Sequence, residues 1–418
     1  MCCAVLPAGV WAQFAVNGAG QYLLLTDAAT YNLDALVIIN GITSACSVDY
    51  TGGGSVKWTY TVSGETYSST QQGVIPEDGV LYTVEAGGME YAVYVIDYAA
   101  YRIAPGTLTW EEDEEVKCQT LYLRPEVEVP EMRYRDRNGT ERVLQREFRL
   151  TYTDSKWAEA DEVWADEAKE VQVTLPQERI QIDAPKKDTQ FVLRGDQWAE
   201  QMGIATDSIV SDEYAAIAVE AHPKGTVVER EGLNEMDRSD DEDVRGSGPL
   251  VVDFESRVNP IGTVFYEWYV WDVQKPNNYT RYTDQNFQYT FEDTGEYWAK
   301  IVATSEGCEF VDSVSIRVLE SMINVPNVFT PNGDGINDEF RVAYRSLATY
   351  RIVIKNRWGR TVYVGDDPSK GWDGRIGGAQ AADGTYYYVI FATGTDVDED
   401  GKPIRYKLSG DINLLRGL

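Results

Sequence analysis

Short runs of alternating apolar and polar residues, separated by turn signals, recur along almost the whole chain. Examples from its first quarter are VKWTYTV, VLYTVEAGG and YAVYVIDY. A period of two places apolar side chains on one face of a β-strand, and many such runs at short spacing are typical of β-sandwiches. Helical periodicity is confined to short pieces such as 158–169 and 197–202. We therefore expect an all-β chain built from tandem immunoglobulin-like sandwich domains.

The chain of 418 residues is long enough for several domains, and shifts in composition mark their expected boundaries. The apolar start MCCAVLPAGVWA has the small-residue end of a secretory signal peptide without its basic beginning. PEVEVP is typical of an extended linker, and MDRSDDEDVRGSG of a charged one. The predicted segments are a signal peptide at 1–12, an immunoglobulin-like sandwich at 13–125, a second β-rich domain at 131–235, an acidic linker at 236–248, a third sandwich at 249–321 and a terminal domain at 322–418.

The net charge of −31 restricts the partners that this chain can have. Nucleic-acid-binding proteins and proteins that adhere to anionic membranes need a basic surface, so neither class fits. No apolar run is long enough to span a membrane. High negative charge is typical of a soluble exported protein, and cationic or calcium-rich partners are the alternative.

The single histidine, His222, limits the enzyme classes. It excludes a two-histidine zinc site, and a Ser-His-Asp hydrolase would need His222 as its base. A glycosidase needs only two carboxylates and stays open as an alternative in residues 131–235. We expect no enzyme activity.

Three cysteines follow the apolar start: Cys46, Cys118 and Cys308. An oxidising compartment permits a disulfide, and Cys46–Cys118 is the pair within one expected domain. Trp58 follows Cys46 as in the Cys…Trp…Cys order of immunoglobulin-like sandwiches. Cys308 is left over, and we expect it to be a buried free thiol; a disulfide to another molecule is the alternative.

The third sandwich is rich in aromatic residues. In the run FYEWYVWDV, Trp268 faces opposite to Trp271, so one of the two sets is expected to be core. The alternative to core or interface packing is a platform that binds carbohydrate through exposed aromatic rings. Its candidate residues are Trp268, Trp271, Tyr279 and Tyr282. The segment FEDTGEYWAKI at 291–301 resembles the strand–turn–strand of PKD-like domains, whose usual Trp-Asp-Phe-Gly-Asp-Gly element is replaced here by WYVWDVQKPNN.

The segment NVFTPNGDGINDEF at 327–340 predicts a tight loop, because proline and glycine restrict or free the backbone and Asn and Asp bond to nearby N–H groups. Such a loop either caps itself or binds calcium. The expected ligands are Asn332, Asp334 and Asp338. An EF-hand-like loop that starts at Asn332 would need a glutamate where Ala343 stands, and Glu339 is the substitute at hand. Calcium is the only cofactor that we weigh.

Four further motifs follow in order: NRWGR at 356–360, GWDG at 371–374, DGTYYYVIF at 383–391 and the terminal LSGDINLLRGL. With TPNGDGIND, they resemble the gliding-motility-associated C-terminal domain family, also described as the type B C-terminal signal of the type IX secretion system. The resemblance covers about 322–418. From the residues themselves, we expect Trp358 and Trp372 to be buried anchors, and Arg357 and Arg360 to pair with Asp366 or Asp373.

The resemblance implies a Gram-negative bacterium, transit through the periplasm and export to the cell surface or medium. It implies two partners, the type IX secretion machinery and an outer-membrane barrel of the PorP/SprF sort. It assigns sorting or attachment to Asn356, Arg357, Trp358, Gly359, Trp372, Asp373, Gly374, Leu415 and Arg416. The upstream domains would then form a stalk or a binding surface for a glycan or a surface protein. A calcium- or glycan-binding adhesin is the closest alternative.

Overall fold

A computed structural model describes residues 13–103, 105–205, 207–229, 232, 234–237 and 243–416. The expected signal peptide at 1–12 lies outside these residues. The regular structure of the described part is almost all β-strand, with only two α-helices, of four and six residues, so the all-β prediction is confirmed. No helix in that part has the length and apolarity to cross a membrane. The chain divides into two compact units, Met1–Ala216 and Ile217–Leu418, and each holds two β-domains.

The first domain packs a six-stranded sheet, in the order β2-β3-β9-β8-β5-β6, on a three-stranded sheet, β1-β4-β7. All pairs are antiparallel except β3 with β9. The elements are β1 (Phe14–Asn17), β2 (Tyr22–Leu25), α1 (Ala28–Tyr31), β3 (Ala35–Ile39), β4 (Ser47–Tyr50), β5 (Val56–Val62), β6 (Glu65–Ser69), β7 (Gly73–Val74), β8 (Val80–Ala86), β9 (Met89–Asp97) and a 3₁₀ turn (Tyr98–Tyr101).

Strand β3, ALVII, is buried along its whole length. Val37 and Ile39 belong to the core between the two sheets. Leu36 and Ile38 point to the other face, where they join a second cluster that includes Trp198. A strand that is covered on both faces needs an uninterrupted apolar run, and β3 has one.

The second domain is a sandwich of a four-stranded sheet, β15-β14-β17-β18, and a three-stranded sheet, β10-β11-β16, with the hairpin β12-β13 beside it. Trp110 and Tyr214 meet across the two sheets, with ring centroids 5.7 Å apart. The elements are β10 (Thr107–Glu111), β11 (Thr120–Glu126), β12 (Arg133–Arg135), β13 (Glu141–Val143), β14 (Glu147–Ala158), β15 (Val163–Thr174), β16 (Ile180–Asp183), β17 (Thr189–Arg194), α2 (Gln197–Met202) and β18 (Ser208–Tyr214).

Helix α2 is the short helix that the sequence predicts. It begins after Asp196, whose carboxylate accepts a hydrogen bond from the N–H of Ala199 at 3.1 Å. It ends at Gly203, which adopts the left-handed conformation with φ +68°. The other predicted helical piece, 158–169, is a β-hairpin between β14 and β15.

The predicted boundary at 125–131 is wrong. Strand β11 pairs with β10 and β16, so it belongs to the second domain. Pro125 lies beyond the residues that pair with β16, so β11 has a neighbour on only one side there, and the missing N–H of proline is tolerated. The composition of PEVEVP is typical of a linker, and composition does not show that this part of β11 pairs on one side only.

The third domain packs a three-stranded sheet, β19-β21-β24, on a five-stranded sheet, β20-β26-β25-β22-β23, around Trp268, Phe254 and Phe291. Gly295 adopts φ +148°, and the hydroxyl of Tyr297 donates to the carbonyl of Asp293 at 2.9 Å. The elements are β19 (Lys224–Val227), β20 (Arg245–Ser247), β21 (Leu250–Glu255), β22 (Phe265–Asp272), β23 (Tyr279–Tyr282), β24 (Phe287–Phe291), β25 (Gly295–Ser305) and β26 (Cys308–Leu319).

Two further boundaries differ from the prediction. Strand β19, which the sequence analysis placed in the second domain, pairs with β21 of the third. Strand β20, which lies within the predicted acidic linker, pairs in parallel with β26. Tertiary pairing extends the third domain on its N-terminal side, because short polar strands gain their order from a neighbour and not from their own apolar pattern.

The fourth domain is a five-stranded sheet, β28-β35-β34-β30-β31, whose inner face is covered by loops and by the pairs β27-β29 and β32-β33. It begins at β27, where the sequence analysis placed its start. The elements are β27 (Met322–Asn324), β28 (Val328–Phe329), β29 (Ala343–Arg345), β30 (Leu347–Lys355), β31 (Thr361–Gly365), β32 (Arg375–Ile376), β33 (Ala379–Gln380), β34 (Gly384–Val397) and β35 (Pro403–Leu414).

The predicted disulfide Cys46–Cys118 is wrong. Cys46 is a buried free cysteine in the core of the first domain, and its thiol lies 3.7 Å from the carbonyl oxygen of Gly18. Cys118 lies between β10 and β11 of the second domain, so the two cysteines belong to different domains. Cys118 and Cys308 each take part in a disulfide bond, which also overturns the expectation of a free thiol at Cys308.

Candidate functional site

The C-terminal motifs lie at one end of the five-stranded sheet. Strand β30 ends next to the start of β34, with Lys355 opposite Tyr387. The start of β34 in turn lies opposite the end of β35, with Gly384 across from Leu414. The turn 356–360, the start of DGTYYY and the C-terminal residues are therefore neighbours in the fold.

Trp372 of the GWDG motif is the buried anchor that the sequence predicts, with 1% of its surface exposed. Its ring lies 5.4 Å from Phe329 and 4.8 Å from Tyr386, and its Nε1 donates to the carbonyl of Arg375 at 2.8 Å. Its backbone N–H and C=O pair with Phe340 at 3.1 and 2.9 Å. Trp372 thus joins the GWDG turn to both ends of the TPNGDGIND loop.

Position 374 requires glycine for conformational and steric reasons. It adopts φ +71°, and a Cβ atom there would lie 2.9 Å from Cγ of Pro331. Its carbonyl accepts a hydrogen bond from Nη2 of Arg416 at 2.8 Å. The neighbouring carboxylate of Asp373 accepts from the N–H of Arg375 at 2.9 Å, which closes the turn.

The C-terminal end is held in place by its own backbone and by Arg416. The N–H of Leu415 donates to the carbonyl of Phe329 at 3.2 Å, and the Leu415 side chain is 37% exposed. The guanidinium of Arg416 contacts Asp383 and the carbonyl of Ala381. These contacts connect the last described residues to three of the motifs.

The TPNGDGIND loop caps itself. Both carboxylate oxygens of Asp338 accept backbone N–H groups, from Gly333 at 2.7 Å and from Gly335 at 2.8 Å. The Asn332 amide donates to Asp334, and each of these two side chains also accepts a backbone N–H within the loop. The N–H of Ile336 and the Asn332 amide lower the pKa of Asp334 by stabilising its charged form.

The calcium site at Asn332, Asp334 and Asp338 stays a prediction. All three side chains are engaged in hydrogen bonds inside the loop, so a cation would compete with these bonds. Within the described residues, no group of three or more Asp, Glu, His or Cys side chains is arranged to hold a metal ion.

The NRWGR turn is held by Asn356, whose side-chain oxygen accepts from the N–H groups of Trp358 and Arg360, each at 3.1 Å. Gly359 supplies the positive φ, +82°. Trp358, however, is 76% exposed, so the prediction that it is a buried anchor is wrong. It stands at the tip of the β30–β31 hairpin, and the Arg357 guanidinium lies over its ring at 4.5 Å.

The predicted pairing of Arg357 or Arg360 with Asp366 or Asp373 is also wrong. Asp366 lies 3.3 Å from Arg351, which is on the adjacent strand. Asp373 lies 3.9 Å from Arg375 within its own turn. Sequence reasoning missed both partners because they are set by strand register and by the tightness of a turn.

The outer face of this sheet is an additional surface that the motifs do not reveal. Tyr387 and Phe391 of β34 are about half exposed on it. Arg351, Arg405 and Lys407 surround Phe391, and together they line a groove of about 400 Å³. The alternating sequence of β34 predicts two sets of side chains on opposite faces of the strand, but it does not show which set is exposed.

Charge is distributed unevenly along the chain. Residues 322–418 contain twelve Lys or Arg and twelve Asp or Glu, so the whole net charge of −31 belongs to residues 1–321. The terminal domain is neutral overall and gathers cations on its outer sheet face, whereas the domains before it are strongly acidic.

The candidate glycan platform in the third domain does not form as predicted. Trp268 is fully buried, and Tyr282 stacks on Phe287 at 4.3 Å, so both belong to the core side of the sheet. Trp271 and Tyr279 lie on the opposite, outer side, directly across from each other on β22 and β23. The four residues are therefore split into two pairs by the alternation of the strands.

His222 lies in the loop before β19. Its Nε2 is 3.0 Å from Oε1 of Glu220, a residue of the same segment. This contact gives a local role to the single histidine of the chain.

Comparisons with known families match two parts of the chain. Residues 323–402 match the CHU_C type IX secretion signal domain, and residues 110–211 match the fibronectin type III domain. The second match begins within β10, in agreement with the strand pairing that places β10 and β11 in the second domain.

Matches among solved structures include the chicken CNTN1 FN1–FN3 domains, at 12% identity over 75% of this chain and 99% of that chain, with a TM-score of 0.26. Sidekick-1 immunoglobulin domains 1–5 match at 10% identity over 96% of each chain, with a TM-score of 0.24. TM-scores of this size do not establish a shared arrangement of domains. Comparison with curated proteins finds no match. The chain thus carries a CHU_C type IX secretion signal domain at 323–402, preceded by a fibronectin type III or immunoglobulin-like domain at 110–211.

Proposed function

We propose that this protein is a non-catalytic interaction protein that its C-terminal domain directs through type IX secretion to the cell surface. The observation that supports it best is the gathering of five sequence motifs at one end of a neutral domain, with Trp358 exposed there. If a motif served only to stabilise the fold, its tryptophan would be expected in the core, where Trp372 of the GWDG motif lies. An exposed tryptophan with an arginine over its ring is suited to contact a partner.

The partner that we propose for this end of the domain is an outer-membrane barrel of the PorP/SprF sort, acting with the secretion machinery. Trp358 and Arg357 would supply the central contact. Because they lie on a tight turn between two paired strands, little ordering is needed on binding.

Localisation of variants in the native bacterium tests this proposal. Deletion of residues 322–418 is expected to leave the remaining domains in the periplasm. The paired substitution Arg357→Ala with Trp358→Ala is expected to reduce surface exposure, measured by protease accessibility on intact cells, while leaving the folded protein stable. Arg351→Ala, an exposed arginine away from the turn, is the control. Surface exposure of the deletion protein equal to that of the full chain would refute the sorting role.

A hydrolase in the second domain is the alternative to the non-catalytic role. Phe148, Phe191 and Tyr214 are all buried there, in the region where the glycosidase alternative was placed. Assay of the purified chain against soluble polysaccharides for released reducing ends tests that alternative directly. Measurable release that is lost on removal of a carboxylate in residues 131–235 would favour the hydrolase.

The glycan-binding adhesin is the second candidate, and a specific surface favours it. The outer face of the third domain presents aromatic side chains that the core does not use, among them Trp271, Tyr279 and Trp298.

A further inference from the structure

Three aromatic residues form a row across the outer face of the third domain. Tyr279, Trp271 and Trp298 occupy directly opposed positions on the neighbouring strands β23, β22 and β25. The Cβ atoms of opposed residues on one sheet face are roughly 5 Å apart, so the row places three aromatic side chains next to one another on this face; we call this row the strip. Tyr279 is 56% exposed and Trp298 38% exposed, and Trp271 is half-buried between them.

The strip is supported from the next row of the sheet. The Tyr269 ring lies 5.4 Å from that of Tyr279, and the ammonium of Lys300 lies 5.2 Å from the centre of Tyr269. The Tyr269 hydroxyl donates to Glu267 at 3.2 Å. These contacts restrict the rotamers of the second row, so the surface beside the strip is held before any ligand arrives.

A groove of about 260 Å³ adjoins the strip at Trp298. Polar side chains at its edge are Asp243, Arg245, Glu296 and Arg317. Its volume is below the roughly 300–1,000 Å³ of pockets that enclose a whole small ligand, so it suits one ring of a longer molecule. The polar side chains at the edge of the groove would offer both hydrogen-bond donors and acceptors to this ring of the ligand.

The charges around the strip are paired. Arg317 lies 3.9 Å from Glu296, and Arg245 lies 3.8 Å from Asp243. At the other end Arg281 contacts Glu267 and Lys275 lies 3.4 Å from Asp272. A surface with balanced charge does not select for an anionic or a cationic ligand.

We propose that this face binds a neutral polysaccharide. Aromatic rings offer apolar faces to the C–H faces of sugar rings, and the groove-edge side chains can bond to hydroxyl groups. A ligand that is uncharged, hydroxylated and extended matches the strip, the groove and the paired charges together. This inference rests on one part of the proposed function, namely that the domains before the C-terminal domain bind a ligand. It does not depend on export.

The test uses the purified full chain with soluble β-glucan, xylan, mannan and α-glucan as probes in affinity electrophoresis and isothermal titration calorimetry. We expect the chain to bind at least one of the four. Trp298→Ala and Trp271→Ala are each expected to weaken binding about tenfold, as the loss of one stacked ring predicts. Glu296→Gln removes a negative charge and exchanges one carboxylate oxygen for an amide donor but leaves every aromatic ring in place, so it is expected to weaken binding less.

Tyr387→Ala, which removes an exposed aromatic side chain from another domain, is the matched control and is expected to bind like the parent chain. Unchanged thermal unfolding of each variant verifies its fold. The proposal would be overturned if the chain bound none of the four polysaccharides, or if it preferred an acidic polysaccharide such as polygalacturonate. Unchanged binding by both tryptophan variants would also overturn it. These binding measurements do not depend on where the protein is located in the cell. A negative result would therefore not affect the export proposal, and a negative export result would not affect the proposal of polysaccharide binding.

Discussion

Arg416 and Asp383 are joined by two hydrogen bonds, one from the backbone N–H of Arg416 at 3.1 Å and one from its Nη1 at 2.9 Å, each to a different carboxylate oxygen. The same guanidinium also bonds to the carbonyls of Gly374 and Ala381. One side chain near the C-terminal end therefore fixes the turn before β34 and the GWDG turn in a single arrangement.

Arg416→Met is expected to destabilise the C-terminal domain by about 2 kcal/mol, because several hydrogen bonds are lost and backbone carbonyls are left without a partner. Calorimetry of the full chain measures the shift. Arg351→Met, which removes only an exposed pair with Asp366, is the control and is expected to change stability by less than about 1 kcal/mol. Equal effects of the two substitutions would contradict the anchoring role of Arg416.

The two tryptophans of the motifs are expected to differ in their effect on stability. Trp372→Ala leaves a cavity among Phe329, Phe340 and Tyr386 and should cost about 3–5 kcal/mol. Trp358→Ala removes an exposed side chain and should change stability by no more than about 0.5 kcal/mol. Thermal unfolding of the two variants provides the comparison, and a large loss from Trp358→Ala would show that its ring is packed.

Calcium is expected to have no effect on thermal unfolding of the chain. Asp338 and Asp334 already accept N–H groups of their own loop, so these oxygens are not free to bind a cation without breaking bonds. The measurement is the unfolding temperature with and without calcium at about 1 mM, the range of extracellular sites. A rise in the parent chain that Asp338→Asn abolishes would establish the predicted site instead.

Stability is expected to fall in acid partly through Asp367. The Ser369 hydroxyl at 2.6 Å and the Lys370 ammonium at 2.9 Å lower the pKa of Asp367 to about 2. A carboxyl whose pKa is lower in the folded than in the unfolded protein stabilises the fold above its unfolded value, 3.8, and this stabilisation is lost as the pH falls towards 2.

The check is the difference in unfolding temperature between the parent chain and Asp367→Asn, measured from pH 7 down to pH 2. The difference should be constant at neutral pH and shrink below about pH 4. A difference that does not depend on pH would rule out the contribution of the charge. Ser369→Ala removes the hydroxyl group that lowers the pKa of Asp367 most, so in that background Asp367→Asn should produce a smaller difference at neutral pH.

The buried pair of Arg146 and Asp196 is expected to be essential to the first unit. Both side chains are almost fully buried, and Asp196 also accepts from the Tyr98 hydroxyl at 2.8 Å while it caps α2. Arg146→Met leaves an uncompensated carboxylate and should cost about 3–5 kcal/mol. Adding Asp196→Asn should then cost less than the same change in the parent chain, and a double-mutant cycle measures this difference. Strict additivity would contradict a direct coupling of the two residues.

Several features that depend on residues close together in the chain were predicted correctly. The opposite orientations of Trp268 and Trp271 follow from the period of two, and the closing of the NRWGR and GWDG turns follows from Asn356, Gly359 and Gly374. Helix α2 follows from its Asp cap and its glycine. In each case the deciding interactions are between residues a few positions apart, so the sequence contains them.

Contacts between distant segments were not predicted. Trp358 and Trp372 have similar neighbours in sequence, yet only Trp372 lies beneath covering loops. Cys46 was paired with Cys118 because a shared domain was assumed.

The sequence by itself determined the all-β class, the local turns and the family of the last domain. Only the tertiary structure decided which tryptophan is buried, where Pro125 becomes part of a strand and which rings of the third domain remain exposed. The physical reason is that burial and strand pairing depend on which remote segment packs over a residue, and alternation specifies two faces without saying which one will be covered.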